Sequence, residues 1–166
     1  MTEASWQLSI MPHTFRCGAF DCGNALMNGA LRGELLTAIR EGRSRAYYVE
    51  EGGRCLGFIA LRAESFELAD SIDREEYALS TRTVPGVLLE LIAVDLQAQR
   101  TGLGRFLLLA ALLLAQRTAE TVGARFLVLD SVPESIGFYT RLGFKRTVTQ
   151  PSRDTVLMIL DLLEAE

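Results

Sequence analysis

The run Val94-Asp95-Leu96-Gln97-Ala98-Gln99-Arg100-Thr101-Gly102-Leu103-Gly104-Arg105 joins a strand-like apolar stretch to a helix-like one, and this junction constrains the fold more than any other segment. Upstream, Val87-Leu88-Leu89-Glu90-Leu91-Ile92-Ala93-Val94 reads as a mostly buried strand; downstream, residues 105–121 carry strong helix formers with neither Pro nor Gly. The loop therefore opens a helix. Gly102 and Gly104 lack Cβ atoms, so backbone N–H groups of the loop and first turn can approach a diphosphate closely, where the helix dipole adds about 0.3–1 kcal/mol. Such a loop is an anion cradle. No Lys-Ser or Lys-Thr follows the second glycine, as an ATP-binding P-loop requires, and the third glycine of a G-x-G-x-x-G dinucleotide loop is missing. A glycine pair here also serves simply to start a helix close to a strand.

The 166 residues predict a single domain, 1–166, able to bury roughly 70% of its unfolded surface, and no linker-like stretch divides them. The longest apolar run, residues 106–115, is about half of what a membrane span needs, so it predicts a buried helix rather than a membrane segment. Being apolar all round, that helix calls for cover on more than one side, by the sheet and by other helices or a second subunit, which makes a homodimer one expectation. No basic stretch followed by a signal-type apolar core opens the sequence, which predicts a cytoplasmic protein. Cys17, Cys22 and Cys55 neither pair evenly nor match a zinc spacing, and His13 is the only histidine, so reduced thiols and no metal are expected.

Along the chain, residues 25–40 suit an amphipathic helix weakened or bent by Gly29 and Gly33. Residues 44–50 and 55–62 flank Gly52-Gly53 and predict a hairpin. Residues 64–83 are polar and ambiguous. A strand at 125–130, a short helix carrying Tyr139, and strands near 145–148 and 155–160 complete the order. The alternation predicts an α/β (α+β mixed) domain, a mixed central sheet of about six or seven strands with helices on both faces.

Gln99-Arg100-Thr101-Gly102-Leu103-Gly104 resembles the Q-x-x-G-x-G acetyl-CoA loop of the GNAT N-acetyltransferases. Ser135-Ile136-Gly137-Phe138-Tyr139-Thr140-Arg141-Leu142-Gly143-Phe144 resembles the helix-then-strand signature of the same family. The resemblance, running from about residue 15 to 162, implies the GNAT fold and acetyl-CoA as cosubstrate. It implies donor contacts at Ile92, Ala93, Val94, Gln99, Arg100, Thr101, Gly102, Leu103, Gly104, Arg105 and Ser135, and places Tyr139 near the CoA sulfur. Where many relatives carry Asn seven residues before the tyrosine, this chain has Val132. Phe20-Asp21-Cys22-Gly23 with Leu26 and Asn28, Val84-Pro85, and Val122-Gly123-Ala124-Arg125 are more particular. They resemble the GNAT toxins of toxin–antitoxin pairs, which implies an aminoacyl-tRNA acceptor and an antitoxin partner.

Acyl transfer from a thioester needs a neutral amine, stabilisation of the oxyanion and a donor for the departing thiolate. A tyrosine near pKa ~10 protonating a thiol near ~8.5 is uphill by about 2 kcal/mol, so Tyr139 is expected to donate a hydrogen bond as charge develops. Glu90, a carboxylate within an apolar strand, is the candidate general base; ion pairing, substrate contact and solvent exposure are the alternatives. The toxins often have a basic residue near this position. Without a base, an α-amine of pKa ~7.7–8.0 is roughly 10–15% neutral at pH 7 and a lysine amine about 0.04%, which favours α-amines.

The net charge of −4 opposes a nucleic acid acceptor. Arg40, Arg43 and Arg45, and Arg141, Lys145 and Arg146, form local basic groups that read equally as solvated faces. The alternatives to a tRNA acceptor are a small-molecule amine or protein N-terminus, and a non-catalytic CoA-binding or partner-binding module. The last is indicated if Tyr139 points into the core.

Overall fold

The computed structural model describes residues 5–165. The elements are β1 (Leu8–Ile10), α1 (Ala25–Arg32), α2 (Glu34–Arg40), β2 (Arg45–Glu51), β3 (Arg54–Glu67), α3 (Ser71–Glu76), β4 (Thr83–Val94), α4 (Leu103–Val122), β5 (Phe126–Ser131), α5 (Ile136–Arg141), β6 (Lys145–Arg146) and β7 (Val156–Asp161). Single 3-10 turns lie at Leu96–Ala98 and Pro133–Ser135. The strands form one seven-stranded sheet in the order β1-β2-β3-β4-β5-β7-β6. It is mixed, as expected: β4 and β5 run parallel, while β1–β2, β2–β3, β5–β7 and β6–β7 are antiparallel. Among the described residues, no helix is long and apolar enough to cross a membrane.

The chain forms two compact units, one comprising the described residues through Arg62 with Glu90–Ala111, the other Ala63–Leu89 with Leu112 onward. In the first, the predicted β2–β3 hairpin forms around Gly52 and Gly53, whose φ values of 58° and 76° give the left-handed pair that a tight hairpin turn needs. Leu31 and Leu35 pack with Phe20, Phe58, Ala60 and Ala93 against one face of β3. On the other face Gly57 lets α4 settle, since a Cβ there would stand 3.0 Å from Leu107. Helices thus cover both faces.

The single helix expected over residues 25–40 is two. Gly33 leaves the helical region at φ −147°, ψ −81°, and its N–H turns back to the Ala30 carbonyl, ending α1 and starting α2. Glycine's low helix propensity decides the break. Strand β1 was not legible in the sequence, because it is three residues long and pairs only with β2.

In the second unit Leu68, Tyr77, Val84, Phe126, Val128, Leu157 and Ile159 form the core. The ambiguous residues 64–83 become the end of β3, α3 and the start of β4. Their polarity has a use: buried Asp73 accepts bonds from Val148 N–H, Thr149 N–H and the Thr149 hydroxyl at 2.6–2.7 Å. Arg125 grips Asp161 through two nitrogens at 2.9 and 3.0 Å. Burial raises the Asp161 pKa, but the bond from Arg125, the Leu163 N–H and the Arg125 charge together carry it below its ordinary value.

Candidate active site

Strand β4 ends at Val94, and the residue after it organises the loop. Asp95 is fully buried, and its carboxylate accepts from the N–H groups of Gln97 (3.0 Å) and Asp21 (3.1 Å) and from Arg54 Nη2 (3.1 and 3.2 Å). Burial raises its pKa; the backbone bonds and the Arg54 bond and charge outweigh that, so the group sits below the ordinary carboxylate value. Arg54 Nε is itself buried without a partner. Sequence reasoning passed over Asp95. The available signal was an Asp between a strand and a turn, where its side chain bonds the backbone two residues on.

The loop is then tied to the chain's N-terminal turn. The Gln99 side-chain amide donates to the carbonyls of Cys22 (3.2 Å) and Val94 (3.0 Å), so its polar end braces the loop. Thr101 Oγ1 closes onto the Ala98 carbonyl. Asn28 holds the same turn from inside, accepting from Cys22 N–H (3.0 Å) and donating to Asp21 (2.9 Å). Asn24 caps α1 through Leu26 N–H and Met27 N–H. The Phe20-Asp21-Cys22-Gly23 motif with Asn28 is therefore the support of the loop.

Arg100 adopts φ 64°, a left-handed backbone that costs a non-glycine residue about 1–2 kcal/mol, and Gly102 follows at φ 90°. This local strain sits at the loop whose sequence predicts an anion cradle. Leu103 is buried and anchors the start of α4, Gly104 is half-buried, and Arg100, Thr101, Gly102 and Arg105 are exposed. The first N–H groups of α4, a helix of 20 residues, have no partner within the helix and remain available to an anion.

Ile92 and Val94 are half-buried and Ala93 is buried. The β4–β5 ladder spans Gly86–Leu88 against Phe126–Val128, so Ile92, Ala93 and Val94 lie beyond it. Glu90 is ion-paired: Arg62 Nη1 lies 3.3 Å from one oxygen, and Ser44 Oγ donates to the other at 2.6 Å. Of the alternatives open for Glu90, pairing is the observed state.

Tyr139 belongs to the second unit, on α5, and is 8% exposed. Its ring meets Phe138 and Phe144 edge-on at centroid distances of 5.2 and 5.8 Å. Among the described residues its hydroxyl has no hydrogen-bond partner, yet it is not one of the buried unpaired atoms, so it retains solvent access. Burial pushes its pKa above the ordinary value. Ser135 is half-buried, its N–H bonded to the Val132 carbonyl. A separate cavity of about 1050 Å³ in this unit, lined by Leu112, Gln116, Leu142 and Leu160 among others, contains none of the expected site residues.

Asp95→Ala is expected to destabilise the fold by about 1.5–3 kcal/mol, because it takes from Arg54 and from the part-buried N–H groups of Asp21 and Gln97 the carboxylate they share. Urea unfolding measures it; a change below about 1 kcal/mol contradicts the anchoring role. Since the folded pKa is depressed, Asp95's contribution is full above the unfolded value near ~3.9 and is lost as pH falls through the folded value.

An apolar strand ending in a pinned glycine loop over an open helix N-terminus is the donor-site architecture of an acyl-CoA-dependent transferase. Residues 42–146 match the acetyltransferase (GNAT) domain, and the chain belongs to that family. It is 30% identical over 141 residues, 84% of each chain, to a tRNA-acetylating toxin of Mycobacterium tuberculosis. A crystal structure of a bacterial toxin shares the fold at a TM-score of 0.84 and 21% identity, covering 96% of this chain and 92% of that one. So does AtaT complexed with acetyl-methionyl-tRNAfMet, at 0.78 and 22%, covering 92% and 94%.

Proposed function

We propose that the chain, working as one domain over residues 1–166, transfers acetyl from acetyl-CoA directly to the α-amine of an aminoacyl-tRNA, as the toxin of a toxin–antitoxin pair. The observation that carries this reading is the 30% identity, over 84% of both chains, to a tRNA-acetylating toxin. Exposed Arg40 and Arg45 support it with charge, as do exposed Arg141 and Arg146, against a net charge of −4, while neighbouring Arg43 and Lys145 are paired with Glu41 and Glu76. The reading carries with it a cytoplasmic location, where charged tRNA is found, an antitoxin partner, and a homodimer.

The donor's diphosphate lies on the N–H groups of residues 100–105, with Ser135 a further donor contact. Backbone groups of residues 92–94, beyond the β4–β5 ladder, take the pantetheine and polarise the thioester carbonyl. The amine attacks in its neutral form; its nitrogen bonds to the acetyl carbon as the carbon–sulfur bond breaks, Tyr139 donates a hydrogen bond to the departing thiolate, and the proton shed by the nitrogen passes through water to the sulfur, leaving the acetylated amine and free CoA thiol. The raised pKa of Tyr139 keeps that donor protonated throughout the working range. Both oxygens of Glu90 already have donors, so the acceptor's own acidity supplies the nucleophile, and Glu90 shapes the acceptor side rather than acting as general base.

The rate should therefore rise with pH up to the acceptor amine's pKa and then level off, any fall from tyrosine ionisation coming later than an ordinary tyrosine would give. Glu90→Gln should keep the acidic limb; its flattening would restore Glu90 as the base. The deciding experiment offers labelled acetyl-CoA to charged total tRNA, free amino acids, polyamines and peptide N-termini in parallel. Label on charged tRNA, released with the aminoacyl ester, is expected. Label only on a small amine or peptide would replace this reading.

A further inference from the structure

The only tryptophan of the chain is Trp6, on the arm that precedes β1. Its ring reaches within 3.9 Å of where a Cβ would stand on Gly102, so it lies beside the diphosphate loop at its glycine. Its centroid is 5.5 Å from that of Phe106, one turn into α4, at a tilt of 52°. Trp6 is only half-buried, between exposed Ser5 and Gln7. Arg100, on the loop, and Arg105, in the first turn of α4, are exposed and unpaired among the described residues.

A part-exposed indole beside an anion loop, with two unpaired guanidinium groups, has the chemistry of a nucleotide subsite: a π-face for a purine and bidentate donors for phosphate. Its ring partner Phe106 is itself only half-buried, so Trp6 sits at the margin of the packed core and keeps part of its surface open. We propose that Trp6 belongs to the donor site, forming the wall on which the adenine of CoA stacks, while Arg100 and Arg105 supply charge to the phosphates of the adenosine half. This assignment rests on the acetyl-CoA reading of the loop.

Because the chain has one tryptophan, its intrinsic fluorescence reports this subsite without any turnover. Titration with acetyl-CoA, and with adenosine 3′,5′-bisphosphate alone, is expected to quench it saturably. Calorimetry with Trp6→Ala should give an acetyl-CoA Kd raised roughly tenfold, the size of one lost base–aromatic stack, and Trp6→Phe should recover most of it. In turnover, Trp6→Ala should raise KM for acetyl-CoA with kcat kept, and leave KM for S-acetyl-phosphopantetheine, which lacks the adenosine, unchanged. Equal losses with both donors would overturn the proposal and mark Trp6 as a packing residue, as would an unaltered acetyl-CoA Kd. Failure of the unsubstituted protein to bind acetyl-CoA is a distinct result, which would remove the loop reading and this assignment together.

Discussion

Tyr139→Phe is expected to lower kcat by roughly 10²–10⁴-fold while leaving the acetyl-CoA Kd and the melting temperature essentially where they are. The substitution deletes one oxygen. The ring keeps its edge contacts with Phe138 and Phe144, and no internal hydrogen bond of the described residues is lost. What goes is the donor for a thiolate that leaves with full charge. Single-turnover transfer at saturating donor measures it, with calorimetry as the control on binding. Full activity in the variant would take Tyr139 out of the mechanism; a lost Kd with unchanged saturated turnover would make it a binding residue.

Gly104→Glu is expected to abolish acetyl-CoA binding. Gly104 is the second residue of α4, within the first turn whose N–H groups point outward. A carboxylate there opposes the diphosphate: two like charges about 4 Å apart near a protein surface repel by about 4 kcal/mol, close to a thousandfold in Kd. Calorimetry tests it, with urea unfolding to confirm that the variant folds. Unchanged affinity in a folded variant would show that the diphosphate does not lie on this loop.

The parts of the molecule that were legible in the sequence are those specified by local chemistry. The strand, loop and helix of residues 87–121 are one run of pattern, Gly52-Gly53 needs only its own backbone, and the tyrosine motif is ten residues long. The obscure parts depend on partners distant in sequence. Asp95 gains its meaning from Arg54 and Asp21, 41 and 74 positions away, and Glu90 from Ser44, 46 away. A charge in an apolar strand announces that something must pair with it. Nothing in one sequence says what. Gln99 shows the complementary case: a motif position expected at the ligand, whose side chain holds the loop to Cys22 and Val94.

The tie between the loop and the N-terminal turn bears on where this catalytic domain begins for anyone cutting it down. The family match starts at residue 42, and a fragment drawn to that boundary would retain every glycine of the loop. It would lack the Asp21 N–H that Asp95 accepts, the Cys22 carbonyl that Gln99 holds, and the ring of Trp6. Such a fragment would carry the signature of the enzyme with its glycine loop unmoored, and loss of activity in it would say nothing about the loop's chemistry. Any minimal version, or any chimera exchanging acceptor-side elements between relatives, must therefore inherit residues 6–28 along with the loop they support.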